Sequence, residues 1–529
     1  MPSADIVIFN ARIFTSDDSK PRAEAVAVQG NRIIYVGSSD GALGFTNSKT
    51  LVIDGKQRTL TAGFIDSHVH LLSGAMWMGH AELREVKSPD ELKTELLDFA
   101  QKNKTEAWIA GRGIRYGIVS TRQELDEIIA DRPVYIGAFD GHTAWANTQA
   151  LEMAGILRDD VRKMTNGIVM RDEEGVATGE LREGNAMHAV FDLIPEPDSN
   201  RKRELLKLAI HEFNKTGITS VHNMNGDMEE LMAYAALEDA GEMNLRVYVP
   251  FHILPEAREE DLKEASEMAK VQMDYVRGGA AKFFMDGVWE SYTAFNVHPY
   301  ADKPEANVEP IFSFEHFVRM ASACDKMGLQ IAVHACGDAA VRQALDGFES
   351  IQKSNGKRDS RHRIEHIEVC QLEDMPRFDD LGVIASMQAS HAPFSREQDP
   401  IWTSRTGPQR WHLAFPWRSL KDAGAHLALG SDWTVAPFDP MFNMHVALNR
   451  EKYAPDNPDQ RLTLEECILG YTRDAAYVEF KEGDKGQVKE GYLADLVLFS
   501  HDLFSLKPEE IRSAKPALTM VDGRIVFEE

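Results

Sequence analysis

Cysteine is scarce: Cys324, Cys336, Cys370 and Cys467 are the only four in 529 residues, and no two of them form a CxxC pair. That excludes a zinc ribbon, a dithiol redox motif and a disulfide framework, and a reducing, cytoplasmic setting fits best. No apolar run approaches the roughly 18 residues of a membrane span, and the opening MPSADIVIFNARIF has no basic flank ahead of an apolar stretch. A soluble, unexported protein is expected. Positive charge is also short, with 58 Lys and Arg against 84 Asp and Glu, a net −26. Such a surface repels phosphate backbones and anionic lipid, so neither nucleic acid nor membrane is an expected partner, although the same acidity also serves plain solubility. With 22 prolines and 37 glycines the chain is neither collagen-like nor low-complexity, and 43% hydrophobic residues suffice for a large core with a satellite domain.

Residues 1–61 hold short β-rich runs separated by turn residues, and the pattern returns at 486–500 and 517–529. The two ends are therefore expected to complete one small β-sandwich, 1–61 with 480–529. From residue 63, apolar strands alternate with helical stretches, the mark of parallel βα units. Eight strands can be drawn: 63–70, 217–224, 244–253, 278–287, 329–336, 362–368, 382–388 and 427–433. Eight closes a (β/α)8, TIM-like barrel, expected over 62–479. The gap between the first two strands is far longer than one helix, so an inserted subdomain is expected over about 75–215. Within it, SPDE at 88–91 predicts a capping box, with Ser88 as cap and Glu91 reaching back, ahead of a helix over 89–102. Lying after the first strand, the insert could form a lid or pocket wall, or only pack on the barrel.

His68 and His70 end the first strand, and a period of two points both imidazoles the same way. Two such histidines can hold a divalent metal, or can be core histidines satisfied by hydrogen bonds. Their company favours the metal: His334 closes the fifth strand, His366 the sixth and Asp432 the eighth, all at one end of the barrel. Lys282 lies inside the apolar run AAKFFM, where an unpaired ammonium is costly to bury. Either it pairs with Asp286 or Glu290, or it has reacted with carbon dioxide to give a carbamate that bridges two cations.

Other signals are weaker. GSSDG at 37–41 matches GxSxG around Ser39 but sits in the terminal sheet, where it reads as a turn. GRGIRYG at 111–117 has Tyr116 where a dinucleotide loop needs glycine. Cys336 shares a face with His334 and is either a thiolate ligand or a small core residue. His142 and His222 are candidate substrate contacts or structural histidines. Met76, Trp77, Met78, Trp145 and Trp289, with Glu290 beside the last, could line a substrate pocket, or the aromatics could fill cores. Arg410, in Arg410-Trp411-His412, could anchor an anionic group.

Several stretches together resemble the metal-dependent amidohydrolase superfamily, in its N-substituted formamide deformylase-like branch. They are LTAGFIDSHVH, GHTAWANTQAL, IVMRDEEGVATGELRE, AAKFFMDGVWESYTA, VHACGD, RIEHIE, LGSDW and GQVKEGYLADLVLF. Ala62 stands where proline is usual and Cys336 where isoleucine is usual, and neither position is an implied ligand. The resemblance implies a hydrolase of C–N amide-type bonds other than peptide bonds, acting on an N-substituted formamide or related small amide through metal-activated hydroxide. It implies two divalent metal ions, zinc foremost, although iron, manganese and nickel suit the same donors. His68, His70 and Asp432 would hold the buried ion, His334 and His366 the more exposed one, and carboxylated Lys282 would bridge them, with Asp432 also the catalytic proton shuttle. A small-molecule substrate is the expected partner, and a homodimer is allowed. Two alternatives stay open: a mononuclear deaminase of the same superfamily, which predicts Glu at position 337 where this chain has Gly, and a non-catalytic scaffold, which predicts missing ligands.

Overall fold

A computed structural model describes residues 3–138, 142–158, 167–306 and 308–529. The chain divides into two compact units, Met1–Leu71 with Ile210–Glu529, and Leu72–Ala209.

The first unit contains the barrel. Its strands are β1 (Phe64–Val69), β2 (Ile218–Asn223), β3 (Arg246–His252), β4 (Val276–Phe284), β5 (Gln330–Ala335), β6 (Arg363–His366), β7 (Ile384–Gln388) and β8 (Leu427–Gly430). They pair in parallel, in chain order, as one eight-stranded sheet. This is the TIM-like architecture that the alternation of apolar runs implies. The strands are mostly apolar because both faces are covered: β1, β2 and β5 are buried at every position, their polar side chains included. On β4 the outward Phe283 packs edge-on against Phe312 and Phe317, at 5.4 Å from each ring, which leaves its neighbour Lys282 facing the barrel interior. The barrel closes just beyond its shortest strand. Asp432 N–H donates to the His68 carbonyl at 2.7 Å, and His70 N–H donates to the Trp433 carbonyl at 2.6 Å.

Two further sheets come from the chain ends. One orders Arg32–Gly37, Ala25–Gln29, Ile6–Phe9 and Leu51–Asp54; the other orders Arg524–Glu528, Pro516–Val521, Leu496–Phe499, Thr59–Ala62, Arg12–Phe14 and Arg22–Ala23. Ile8, Val26, Val28, Leu60, Leu496, Leu498 and Met520 form one buried cluster between them. The period of two sends Phe499 the other way, onto Phe64 of β1 at 5.6 Å. Ser39 is the first residue of a five-residue helix in this region, and its Oγ accepts the Asn10 N–H, a structural role. All four cysteines are buried and free. No helix among the described residues is long and apolar enough to cross a membrane.

The second unit has its own six-stranded sheet, in the order Ile168–Arg171, Ala177–Arg182, Thr143–Ala146, Val134–Ala138, Ile109–Ile114 and Ala81–Glu82. GRGIRYG begins inside the Ile109–Ile114 strand. The helix Pro89–Lys102 starts on Ser88, whose Oγ accepts the Glu91 N–H. The capping box is altered, however: Glu91 reaches the N–H of Lys87 at 2.7 Å, one residue further out than the expected Ser88. Leu92 and Leu96 of this helix pack under the sheet with Ile109, Val134, Ile136 and Trp145. Trp145 is 2% exposed, so it fills this core and does not line a pocket.

Candidate metal centre

Five of the six implied ligands gather at the carboxyl ends of β1, β5, β6 and β8, the end at which barrel chemistry is sited. His70 Nε2 lies 3.0 Å and His68 Nε2 3.4 Å from Asp432 Oδ1, while His366 Nδ1 lies 3.9 Å from Oδ2. The ring of His366 is 4.8 Å from His68 and 4.4 Å from His334. Lys282 enters from β4, wholly buried.

Local backbone explains how the residues converge. Gly430 lets β8 approach β1, since a Cβ there would stand 2.7 Å from the His68 nitrogen and 2.9 Å from Asp66 Oδ1. Asp66 braces the junction, accepting the N–H groups of His68 at 3.1 Å and Ser431 at 2.9 Å, while burial pushes its carboxyl up to about 7. His366 and Asp432 adopt left-handed backbone, φ 74° and 58°. Non-glycine residues pay for that conformation, and such strain clusters where a side chain must be aimed.

One nitrogen of each ring is held. His68 Nδ1 meets Glu365 Oε2 at 2.8 Å, His70 Nδ1 meets Asn225 Oδ1, and His366 Nδ1 meets Gln388 Oε1 at 2.8 Å. His334 Nε2 faces the Gly287 carbonyl at 3.0 Å. Burial, helped by the Lys282 charge, lowers His334 to about 4 and holds His68 well below the usual imidazole range; burial and neighbouring His334 do the same to His366. These rings are neutral, the state a metal requires. Burial works against ionising Asp432, but the facing His68 and His70 outweigh it and hold the carboxyl well below the ordinary range.

Among the buried polar atoms without a hydrogen-bond partner at this end of the barrel are Lys282 Nζ, Asp432 Oδ1 and His391 Nε2. That observation tests the fit of a metal. Imidazole and carboxylate atoms of His68, His70 and Asp432 converge within 4.8 Å of one another, as do those of His366, His391 and Asp432. This donor set suits a divalent cation. Lys282 is no ion-paired structural lysine. Its expected partner Asp286 instead accepts the N–H groups of Phe295, Cys336 and Gly337, and Glu290 lies on an exposed turn.

The remaining candidates divide. His222 is fully buried inside the barrel between Arg363 and Glu479. Trp289 is also buried, packed on Tyr300 and Trp402, with its N–H on the Cys336 carbonyl. Arg410 is buried and donates to the carbonyls of Thr406, His298 and Pro299. Cys336 lies 3.5 Å from His334 Nε2, and burial pushes its thiol well up, which disfavours a thiolate. His142, in the second unit, is exposed beside Glu183 at 3.3 Å; Trp77, in the same unit, is exposed under Arg112. Sequence reasoning missed Glu365, Asn225, Gln388 and His391. His391 stacks on His366 at 5.7 Å and brings Nε2 to 3.6 Å from Asp432 Oδ2. A separate cavity of about 90 Å³ is lined by residues of the barrel and the terminal sheets, and its Arg32, Arg246, Arg277 and Lys485 are each ion-paired.

Gly337 has a geometric reason to be glycine. A Cβ there would stand 2.0 Å from the Phe295 carbonyl oxygen. A glutamate at this position, as a mononuclear deaminase needs, would collide with that backbone. Gly337→Ala should therefore lose about 1–3 kcal/mol in denaturant unfolding, the range for overpacking, and an unchanged unfolding midpoint would refute the clash.

Parallel eight-stranded barrel, converging imidazoles and a carboxylate define a metal-dependent hydrolase. The chain belongs to the amidohydrolase family, whose model matches residues 51–527. It is 31% identical to Protein LONG AFTER FAR-RED 3 of Arabidopsis thaliana, over 99% of this chain and 92% of that one. It is 27% identical to the N-substituted formamide deformylase of Arthrobacter pascens, over 99% and 98%. A solved metal-dependent hydrolase from Pyrococcus furiosus superposes with a TM-score of 0.76 at 26% identity, covering 93% of this chain and 98% of that one. The protein is thus an enzyme that hydrolyses C–N bonds other than peptide bonds, with a divalent metal cofactor and a small-molecule substrate.

Proposed function

We propose that the enzyme holds two divalent ions and cleaves small neutral amides, N-substituted formamides foremost. The observation that carries the two-ion reading is Lys282, an amine buried over the Phe284 ring at 4.8 Å with no hydrogen-bond or ion-pair partner. His68, His70 and Asp432 would hold one ion, His334 and His366 the other, and Lys282, as its carbamate, both. When bound, the ions supply Lewis acidity that activates water and polarises a carbonyl. The chain's own part is proton handling and orientation. Asp432, kept ionised, takes the proton of the attacking water on a carboxylate oxygen and returns it to the departing amine nitrogen. Asn225, Gln388 and Glu365 fix the ring planes, and His391 flanks the second oxygen of Asp432. Zinc is the ion we expect.

The substrate class is supported by the Arthrobacter relative and by the walls. Phe284 stacks on His334 at 5.0 Å and packs against His252 at 5.1 Å, an apolar flank beside the reacting carbonyl. The net charge of −26 opposes long-range steering of anions. N-benzyl and N-alkyl formamides should therefore be turned over in preference to N-acyl amino acids and cyclic ureas by the metal-loaded enzyme. A clear preference for a dianionic substrate would overturn the assignment.

A further inference from the structure

Beneath His68 the barrel interior holds a ladder of buried charge. Arg363 and Glu365 share the inner face of β6, and both are 0% exposed. Arg363 pairs with Glu365 Oε1 through Nε and donates to Oε2 through Nη2 at 3.1 Å. The same Nη2 donates to the Ser67 carbonyl and to Ser386 Oγ, each at 2.6 Å, which fixes the guanidinium against β1 and β7. Its Nη1 donates to His222 Nδ1 at 2.9 Å, so the proton of that ring sits on Nε2, 3.3 Å from Glu479 Oε1. Glu479 is anchored in turn by Lys485 at 2.6 Å and by Arg277. At the upper end, Glu365 Oε2 meets His68 Nδ1 at 2.8 Å.

Such a ladder is a poor device for stability alone, because apolar side chains of similar volume do as well or better in a dry interior. Its geometry does one thing an apolar filling cannot. A carboxylate at Nδ1 keeps the proton there, leaves the Nε2 lone pair free, and aims that lone pair at the volume shared with His70 and Asp432. Arg363, itself held from three sides, ion-pairs with Glu365 and hydrogen-bonds its Oε2, which holds that carboxylate against His68.

We propose that Glu365, clamped by Arg363, is a positioning residue that sets the tautomer and aim of His68 for metal. This rests on His68 being a ligand. The test is the metal dissociation constant of the purified full chain, measured with zinc against a chromogenic chelator, with thermal melts of each apoprotein. His68→Ala checks the ligand itself. Glu365→Leu removes the acceptor and should weaken zinc binding by about 10- to 100-fold, the usual range for an outer partner of a ligand histidine. Glu365→Gln keeps an oxygen acceptor and should recover most of that loss, a rescue that a purely structural role would not order in this way. If Glu365→Leu binds zinc as the wild type does while His68→Ala does not, the positioning role is wrong. If His68→Ala also binds normally, the ligand assignment is what failed. Should Glu365→Leu not melt cooperatively, Glu365→Gln decides: zinc binding at least about threefold weaker in a folded variant supports the proposal, since an amide is the weaker acceptor, and unchanged binding overturns it.

Discussion

Asp432→Asn should lower turnover by at least about 10²- to 10⁴-fold, the span of general acid–base catalysis, in a protein that remains folded. The substitution suits the site. Asp432 sits in left-handed backbone at φ 58°, which asparagine adopts more readily than most residues, so no new strain confuses the result. The amide keeps the shape of the carboxylate and loses its basicity, and with it the charge that faces His70 at 3.0 Å and His391 at 3.6 Å. Metal content should be measured on the same sample, so that loss of an ion is separated from loss of the base. Near-wild-type turnover in a folded, metal-loaded variant would remove Asp432 from the proton pathway.

Lys282→Ala should lose at least one metal ion per chain, read by elemental analysis, with activity partly restored by a small added carboxylic acid. The physical ground is the sign of the charges. An ammonium beside two cations is repelled, whereas the carbamate formed from the neutral amine and carbon dioxide, with release of a proton, supplies the anion they lack. Burial lowers the Lys282 amine to about 8, so far more of it is neutral near pH 7 than of an ordinary lysine. At fixed dissolved carbon dioxide, reconstitution of the apoenzyme should quicken as pH rises toward 8 and level off above it, and bicarbonate should speed it. Retention of two ions by Lys282→Ala would end the bridging role and leave both ions held by the histidines and Asp432 alone.

Much of the barrel is legible in the sequence because a strand covered on both faces is largely apolar, and runs such as GFIDSHVH or LQIAVHAC stand out by their apolar stretches and the few polar residues set among them. The ligands stand out for the converse reason, as imidazoles and a carboxylate at the same end of such strands. The argument that singled out Lys282, a charge inside an apolar strand, applies equally to Arg363 and Glu365, two charges on one face of HRIEHIE. The pair beneath His68 is therefore legible in the amino-acid order, by the same cost of burying charge. The fate of the tryptophans is not. Trp145 and Trp289 follow glycine-rich or irregular segments, and nothing local distinguishes an indole that fills a core from one that walls a pocket. Arg410 is similar, since its acceptors are carbonyls of a loop more than a hundred positions away. Glu91 reaching Lys87 differs by one residue from the box it was expected to close, a matter of side-chain reach that the motif alone does not fix.

The seam of the barrel sets the order in which the enzyme can come into being. His68 and His70 are made early, but the strand that brings Asp432 beside them is the last of the eight, and the brace from Asp66 to Ser431 joins positions 365 apart. Contacts of such separation form late, after the intervening chain has been threaded into place. A nascent or nicked chain ending before β8 therefore carries both histidines and no complete site. In the proposed site, metal cannot guide the early steps of folding through Asp432, and its capture at full affinity would report that the circle of strands has closed.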